Sequence, residues 1–215
     1  MRPKQLDIDP ANANLTGFAS NVTGASFTLT TTTTTDGLAH QVSIRNDSAT
    51  DHSGKTVVLV GTDADGRPQS ETVTAPGTSA TVESTKYFKT LTSATPSATI
   101  GADTFDIGWV DEVATQTIPL EWRANTPAMI HVVVTGTISY TIQGTLQDIR
   151  DDGAAPFTFT DQEDLAWFSD ANFTAKTATL ADDLAIAGYR AIRLIINSYT
   201  DTAELQVFMT FPDNK

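Results

Sequence analysis

The sequence contains no cysteine. That absence excludes a disulfide framework, a thiolate metal site and a cysteine nucleophile together. Long apolar runs are also missing: none reaches the ~18 residues of a membrane span. The opening MRPKQLDIDPANANLTG lacks the apolar stretch of a signal peptide. The expectation is a chain with no membrane partner that stays in the compartment where it is made. Basic residues are few, 13 Lys and Arg against 26 Asp and Glu, for a net charge of −13. A surface of that sign does not neutralise phosphates, which argues against direct binding of DNA or RNA. It favours solubility and mutual repulsion of unassembled copies. Serine-nucleophile motifs, glycine-rich phosphate loops and dinucleotide fingerprints are absent as well. No cofactor, metal or enzyme activity is therefore expected.

What the sequence does contain is threonine and valine, recurring throughout its 215 residues. β-Branched side chains are stiff at χ1 and sit better on a pleated surface than in a helix. The length suffices for a real core without staples. Residues 1–25, polar and interrupted by Pro3 and Pro10, suit an extended N-terminal arm. Strand-like segments follow at Ser26–Thr34, Ala39–Asn46, Lys55–Thr62, Ser70–Ala75, Ala80–Glu83, Tyr87–Ser93 and Thr104–Val110. Turn-to-turn spacings of roughly 8–12 residues make a sandwich pattern. KTVVLVGT is apolar enough for a central strand, and Asp65-Gly66 between two such runs is a hairpin signal.

The polar stretch Asp111–Gln116 carries no strand signal and marks a boundary. Beyond it come Thr117–Trp122, Met129–Thr135, Thr137–Gln147 and a closing pair, Gly188–Asn197 and Ala203–Phe211, which reads as a hairpin across Ser198–Thr202. Leu165–Phe168 suits a short helical turn or a buried loop. The expected fold is all-β, with two tandem β-sandwich domains of Ig-like or jelly-roll-like type at 26–113 and 114–215 behind the arm. Charge divides evenly: 7 basic and 13 acidic residues precede residue 114, and 6 and 13 follow it. Both halves read as folded domains.

Few constellations could carry chemistry. His40, His52 and His131 stand in separate segments, without the second histidine three or four residues away that a metal site favours; they read as packed or surface residues. Asp63-Ala64-Asp65-Gly66 begins like a calcium loop but breaks off at Arg67-Pro68 and lacks flanking helices, so it reads as a turn. Asp148, Asp151, Asp152, Asp161, Glu163, Asp164 and Asp170 form the densest run of carboxylates. Paired carboxylates such as Asp164 and Asp170 can run glycoside chemistry if a cleft surrounds them. A solvated loop, open to an adventitious cation, is the simpler expectation for Asp148–Asp170.

Three stretches carry a resemblance: DGLAHQVSIRNDSATDHSGKTVVLVGTDADG from Asp36, ESTKYFKTLTS from Glu83 and SATIGADTFDIGWVD from Ser97. With the closing GYRAIRLIINSYTDTAELQVF, they resemble tailed-bacteriophage virion structural proteins built from the same run of short strands. The resemblance implies a virion component assembled in the host cytoplasm, with other virion proteins and further copies of itself as partners. It marks no functional residue. A capsid decoration or cement protein bound to the major capsid protein is the leading expectation. A tail, collar or fibre-anchoring component near the portal vertex is the alternative. A third reading is a carbohydrate- or host-surface-binding module stacking sugars on Trp122, Trp167 and Tyr189.

Overall fold

Period-two alternation governs most of the local structure. In Thr56–Thr62, Val57 and Leu59 are fully buried while Val58 and Val60 stand in solvent. In Glu204–Thr210, Leu205, Val207 and Met209 alternate inward in the same way. Successive side chains of a strand point to opposite faces, so each such segment offers one face to a core. A computed structural model of the chain describes residues 4–120, 128–151, 158–159, 162–186 and 188–210. The strands in chain order are β1 (Lys4–Ile8), β2 (Asn14–Val22), β3 (Ala39–Asn46), β4 (Thr56–Thr62), β5 (Pro68–Thr74), β6 (Thr81–Phe88), β7 (Thr90–Pro96), β8 (Phe105–Ala114) and β9 (Ile118–Pro119). They continue with β10 (Met129–Thr135), β11 (Ile138–Thr145), β12 (Arg150–Asp151), β13 (Thr158–Phe159), β14 (Phe168–Ser169), β15 (Leu180–Asp183), β16 (Ala191–Tyr199) and β17 (Glu204–Thr210). A single 3-10 turn at Gln162–Asp164 is the helical element among the described residues, and the fold is all-β.

The chain forms two compact units, Ala11–Val113 and a second that joins Ala114–Lys215 to Met1–Pro10. Within Ala11–Val113, β8, β3 and β6 are neighbours in that order and β2 pairs with β8. A separate three-stranded sheet runs β5-β4-β7, with Val58 opposite Thr72 on one side and Thr95 on the other. Both sheets feed one core: Val42, Ile44, Phe88 and Ile107 from the first meet Leu59 and Leu91 from the second. The β4–β5 turn is built as its sequence reads. Asp63 Oδ1 accepts the N–H groups of Asp65 and Arg67, each at 2.9 Å, and Gly66 takes φ +83°.

The second unit also contains two sheets, ordered β1-β17-β10-β15 and β14-β11-β16, with β9 pairing at the start of β16. Here sequence neighbours part company: β10 and β17 lie in one sheet, β11 and β16 in the other. The closing segments β16 and β17 are therefore consecutive in sequence but unpaired with each other, and the hairpin expected across Ser198–Thr202 is instead a corner between sheets. Gly136 makes the matching corner between β10 and β11. At φ +73° it packs so closely that a Cβ there would lie 3.0 Å from Ala203 Cα. The Thr200 N–H donates to Thr137 O at 3.0 Å and ties the two corners together.

In place of the expected extended N-terminal arm, the described residues 4–25 hold two strands. Lys4–Ile8 is an edge strand antiparallel to β17, in register Leu6 to Val207 and Ile8 to Leu205. Asn14–Val22 is a strand of the other unit, with Phe18 and Ala19 fully buried. Ser26–Thr34, expected as a strand, contributes only isolated bridges, Phe27 to Ala94 and Thr33 to Thr90. Its one large core side chain is Phe27, and the threonine run that follows has nothing comparable to bury. Asp111–Gln116 departs from expectation in the other direction, because β8 continues through Asp111 and Glu112 to Ala114. In the expected strand Thr117–Trp122 only Ile118–Pro119 is extended; Trp122 lies outside the described residues.

Candidate functional site

Three clusters of buried polar groups in Ala11–Val113 each contain a carboxylate. The first lies where β3 begins. His40 is fully buried, with Nδ1 3.0 Å from Val110 O and Nε2 2.8 Å from Asp36 Oδ2. The same Asp36 oxygen accepts the Ala11 N–H at 2.7 Å, and Oδ1 accepts that of Leu38 at 2.9 Å. Burial opposes ionisation of Asp36, but His40 and the two N–H donors outweigh it and hold the carboxyl at about 2. Trp109 stacks obliquely against His40 and donates its Nε1–H to Asn12 O at 3.0 Å, so two aromatic groups fix the chain just upstream of β2.

The second cluster centres on Asp106, nearly fully buried on β8. It accepts the N–H of Asn21, a non-glycine residue at φ +52°, and a short bond from Arg45 Nη2. Arg45 Nε lies 3.0 Å from Asp47. Burial opposes ionisation of Asp106, but the Asn21 N–H and Arg45 prevail and keep it below its ordinary value. Asp47 is pushed up by the carboxylate beside it. In the third cluster, buried His52 has Nε2 3.0 Å from Asp103 and Nδ1 2.9 Å from Lys55 Nζ, which also donates to Thr99 O. A lysine ammonium only donates, so Nδ1 accepts and Nε2 carries the hydrogen shared with Asp103. The third histidine, His131, is exposed on β10 with its ring 5.9 Å from Phe208. All three histidines thus take structural or surface positions, in separate places.

The acidic run of the second unit disperses. Asp148, Glu163 and Asp164 are exposed; Asp152 and Asp161 lie outside the described residues, as does the side chain of Asp151. Asp170 is fully buried and faces inward: Oδ1 accepts the Asn172 N–H at 3.0 Å and Oδ2 the Ala185 N–H at 2.8 Å. Burial and the adjacent Asp170 carboxylate raise the Tyr189 phenol above its ordinary value. Asp170 therefore ties the turn at Asn172 to Ala185 beyond β15, a role its sequence context did not signal. No group of three or more potential metal ligands gathers among the described residues.

The aromatics follow the same logic. Tyr189 is buried. Half-buried Trp167 donates Nε1–H to Gln162 O at 2.6 Å and carries the Arg193 guanidinium 4.6 Å above its ring. Arg193 is itself held by Gln143 and Gln162, so the Trp167 face is already occupied. Two exposed features remain that sequence reading missed. The outer face of β5-β4-β7 presents Val58 and Val60 among the uncharged side chains of Ser70, Thr72, Ser93 and Thr95, with the Lys86 ammonium donating to Ser70 O at 2.9 Å. The other is β1, an edge strand with only Ile8 fully buried.

No protein-family model and no curated protein matches the chain. Among solved structures it has a similarity to the crystal structure of the major capsid protein P2 from Bacteriophage PM2, at 13% identity and a TM-score of 0.20, covering 97% of this chain and 96% of that one.

Proposed function

We propose that this chain is a tailed-bacteriophage virion structural protein, and within that class a capsid decoration or cement protein that docks on the head shell. On this reading it is a building piece and not an enzyme, and each unit serves as a β-sandwich module. The observation that carries the reading is where the resembling segments lie. Asp36–Asp111 and Gly188–Phe208 supply β3–β8, β16 and β17, which build the sheets and much of the core. The carboxylates best placed for chemistry support it too, since Asp36, Asp106 and Asp170 each accept bonds that hold the fold. The acidity would keep copies apart before docking, and the exposed Val58–Val60 face offers an apolar patch for contact.

The glycan-binding alternative loses support from buried Tyr189 and from Trp167 capped by Arg193. Cryo-EM of intact particles tests the proposal. Density for this chain repeated across the head lattice is expected. Density confined to the portal vertex, at a dozen copies or fewer, would move the protein to the tail or collar, and density nowhere on the particle would end the virion reading.

A further inference from the structure

The N-terminal strand has an unusual place in the molecule. β1 belongs to the unit otherwise made of Ala114–Lys215, yet Ala11 onward belongs to the other. It contacts its sheet through one partner, β17, and closes that sheet at its edge. Of its five residues only Ile8 is fully buried; Leu6 is half-buried, and Lys4, Gln5 and Asp7 are exposed. Little apolar surface therefore holds it in place.

The chain that follows is fastened much better. Ala11 N–H bonds to Asp36 and Ala13 N–H to Asp111 Oδ1, both at 2.7 Å, before β2 enters the core with Phe18. Between the weakly held strand and the pinned segment lie Asp9 and Pro10. β1 can thus leave β17 without loosening Ala11–Val113, and its departure uncovers the backbone edge of Glu204–Thr210 over Leu205 and Val207. An uncovered edge is a template for strand addition. The segment whose alternation and register fit that template is the same Lys4–Ile8 of another copy.

We propose that β1 is an exchangeable strand: a second copy of this chain donates its Lys4–Ile8 to β17, in the register seen within one chain, and copies link by strand exchange. This stands apart from the virion reading, since it concerns association of the protein with itself. Because each copy carries 13 negative charges in excess, exchange is expected to increase with protein concentration and with salt.

The absence of native cysteine permits a direct test. Gln5 and Phe208 are register partners on the outward face of the β1–β17 pair. Full-length Gln5→Cys and Phe208→Cys variants, one carrying a size tag, are mixed at high concentration, mildly oxidised and run on a non-reducing gel. The control mixture pairs Gln5→Cys with Glu204→Cys, four residues out of register. Exchange predicts severalfold more covalent heterodimer from the in-register mixture than from the control, rising with salt. Equal, low yields from both mixtures overturn the proposal. The double variant in one chain then shows why: a complete intrachain cross-link means β1 sits on β17 of its own chain, and none means β1 does not sit on β17.

Discussion

Ala11–Val113 and the second unit bury their acids in different company. Asp36 and Asp106 face His40 and Arg45, and each also accepts an N–H from a residue far away in sequence, Ala11 or Asn21. Asp170 accepts N–H groups from Asn172, two residues on, and from Ala185, which lies beyond β15. The first arrangement fastens distant chain segments and responds to pH. The second joins the turn after β14 to the residue beyond β15 through backbone N–H donors. A buried carboxylate is therefore paired with an imidazole or a guanidinium in one unit and with backbone N–H donors in the other.

Substitution can break this contrast. The largest effect is expected from Asp170→Ala, which strands two or three buried donors at once and should cost about 3–5 kcal/mol, read from the denaturant midpoint. Asp170→Asn should recover part of that loss. If Asp170→Ala instead costs under about 1 kcal/mol, the turn does not depend on its acid and the contrast fails.

Next is Asp36. Its carboxyl is lowered from 3.8 to about 2, so the stability it contributes is fully present above its ordinary value and is lost as pH falls from about 4 towards 2. The shift corresponds to about 2 kcal/mol. Asp36→Asn should remove that amount at neutral pH and flatten the stability curve between pH 4 and 2. An unchanged slope in the variant would assign the acid sensitivity elsewhere.

Smaller effects sharpen the picture. Arg193→Met removes the cation from the Trp167 face and its bonds to Gln143 and Gln162, for a loss of about 1 kcal/mol, with altered tryptophan emission. Asn21→Gly keeps the N–H that Asp106 accepts and suits φ +52°, so stability should stay within about 0.5 kcal/mol of the parent. In the second unit, Tyr140 is pushed up to about 12 by burial, and an ultraviolet titration should find one of the four tyrosines un-ionised until near that pH.

The sequence made the local elements of Ala11–Val113 legible. Val57 and Leu59, Asp65-Gly66, and Phe105, Ile107 and Trp109 announce strands and a turn through short-range rules, and the Asp65-Gly66 turn joins β4 and β5, which lie side by side. The second unit resisted because its consecutive strands separate at Gly136 and at 200–203. Alternation tells which face of a strand is buried but not which sheet will receive it. The KQLDI strand hid for another reason: Leu6 and Ile8 alternate correctly, but a five-residue segment beside two prolines has too little apolar content to stand out. Asp36, Asp106 and Asp170 were equally hidden, since a carboxylate's burial depends on donors supplied by other parts of the chain.

The register of β1 on β17 also fixes how the molecule meets mechanical load. Lys4 lies opposite Met209, so the polypeptide enters and leaves this antiparallel pair at the same end. Tension applied across Lys4 and Met209 would open that pair bond by bond, like a zipper, instead of shearing all its bonds together. Under such a pull the β1–β17 seam opens from the Lys4–Met209 end towards Ile8 and Leu205.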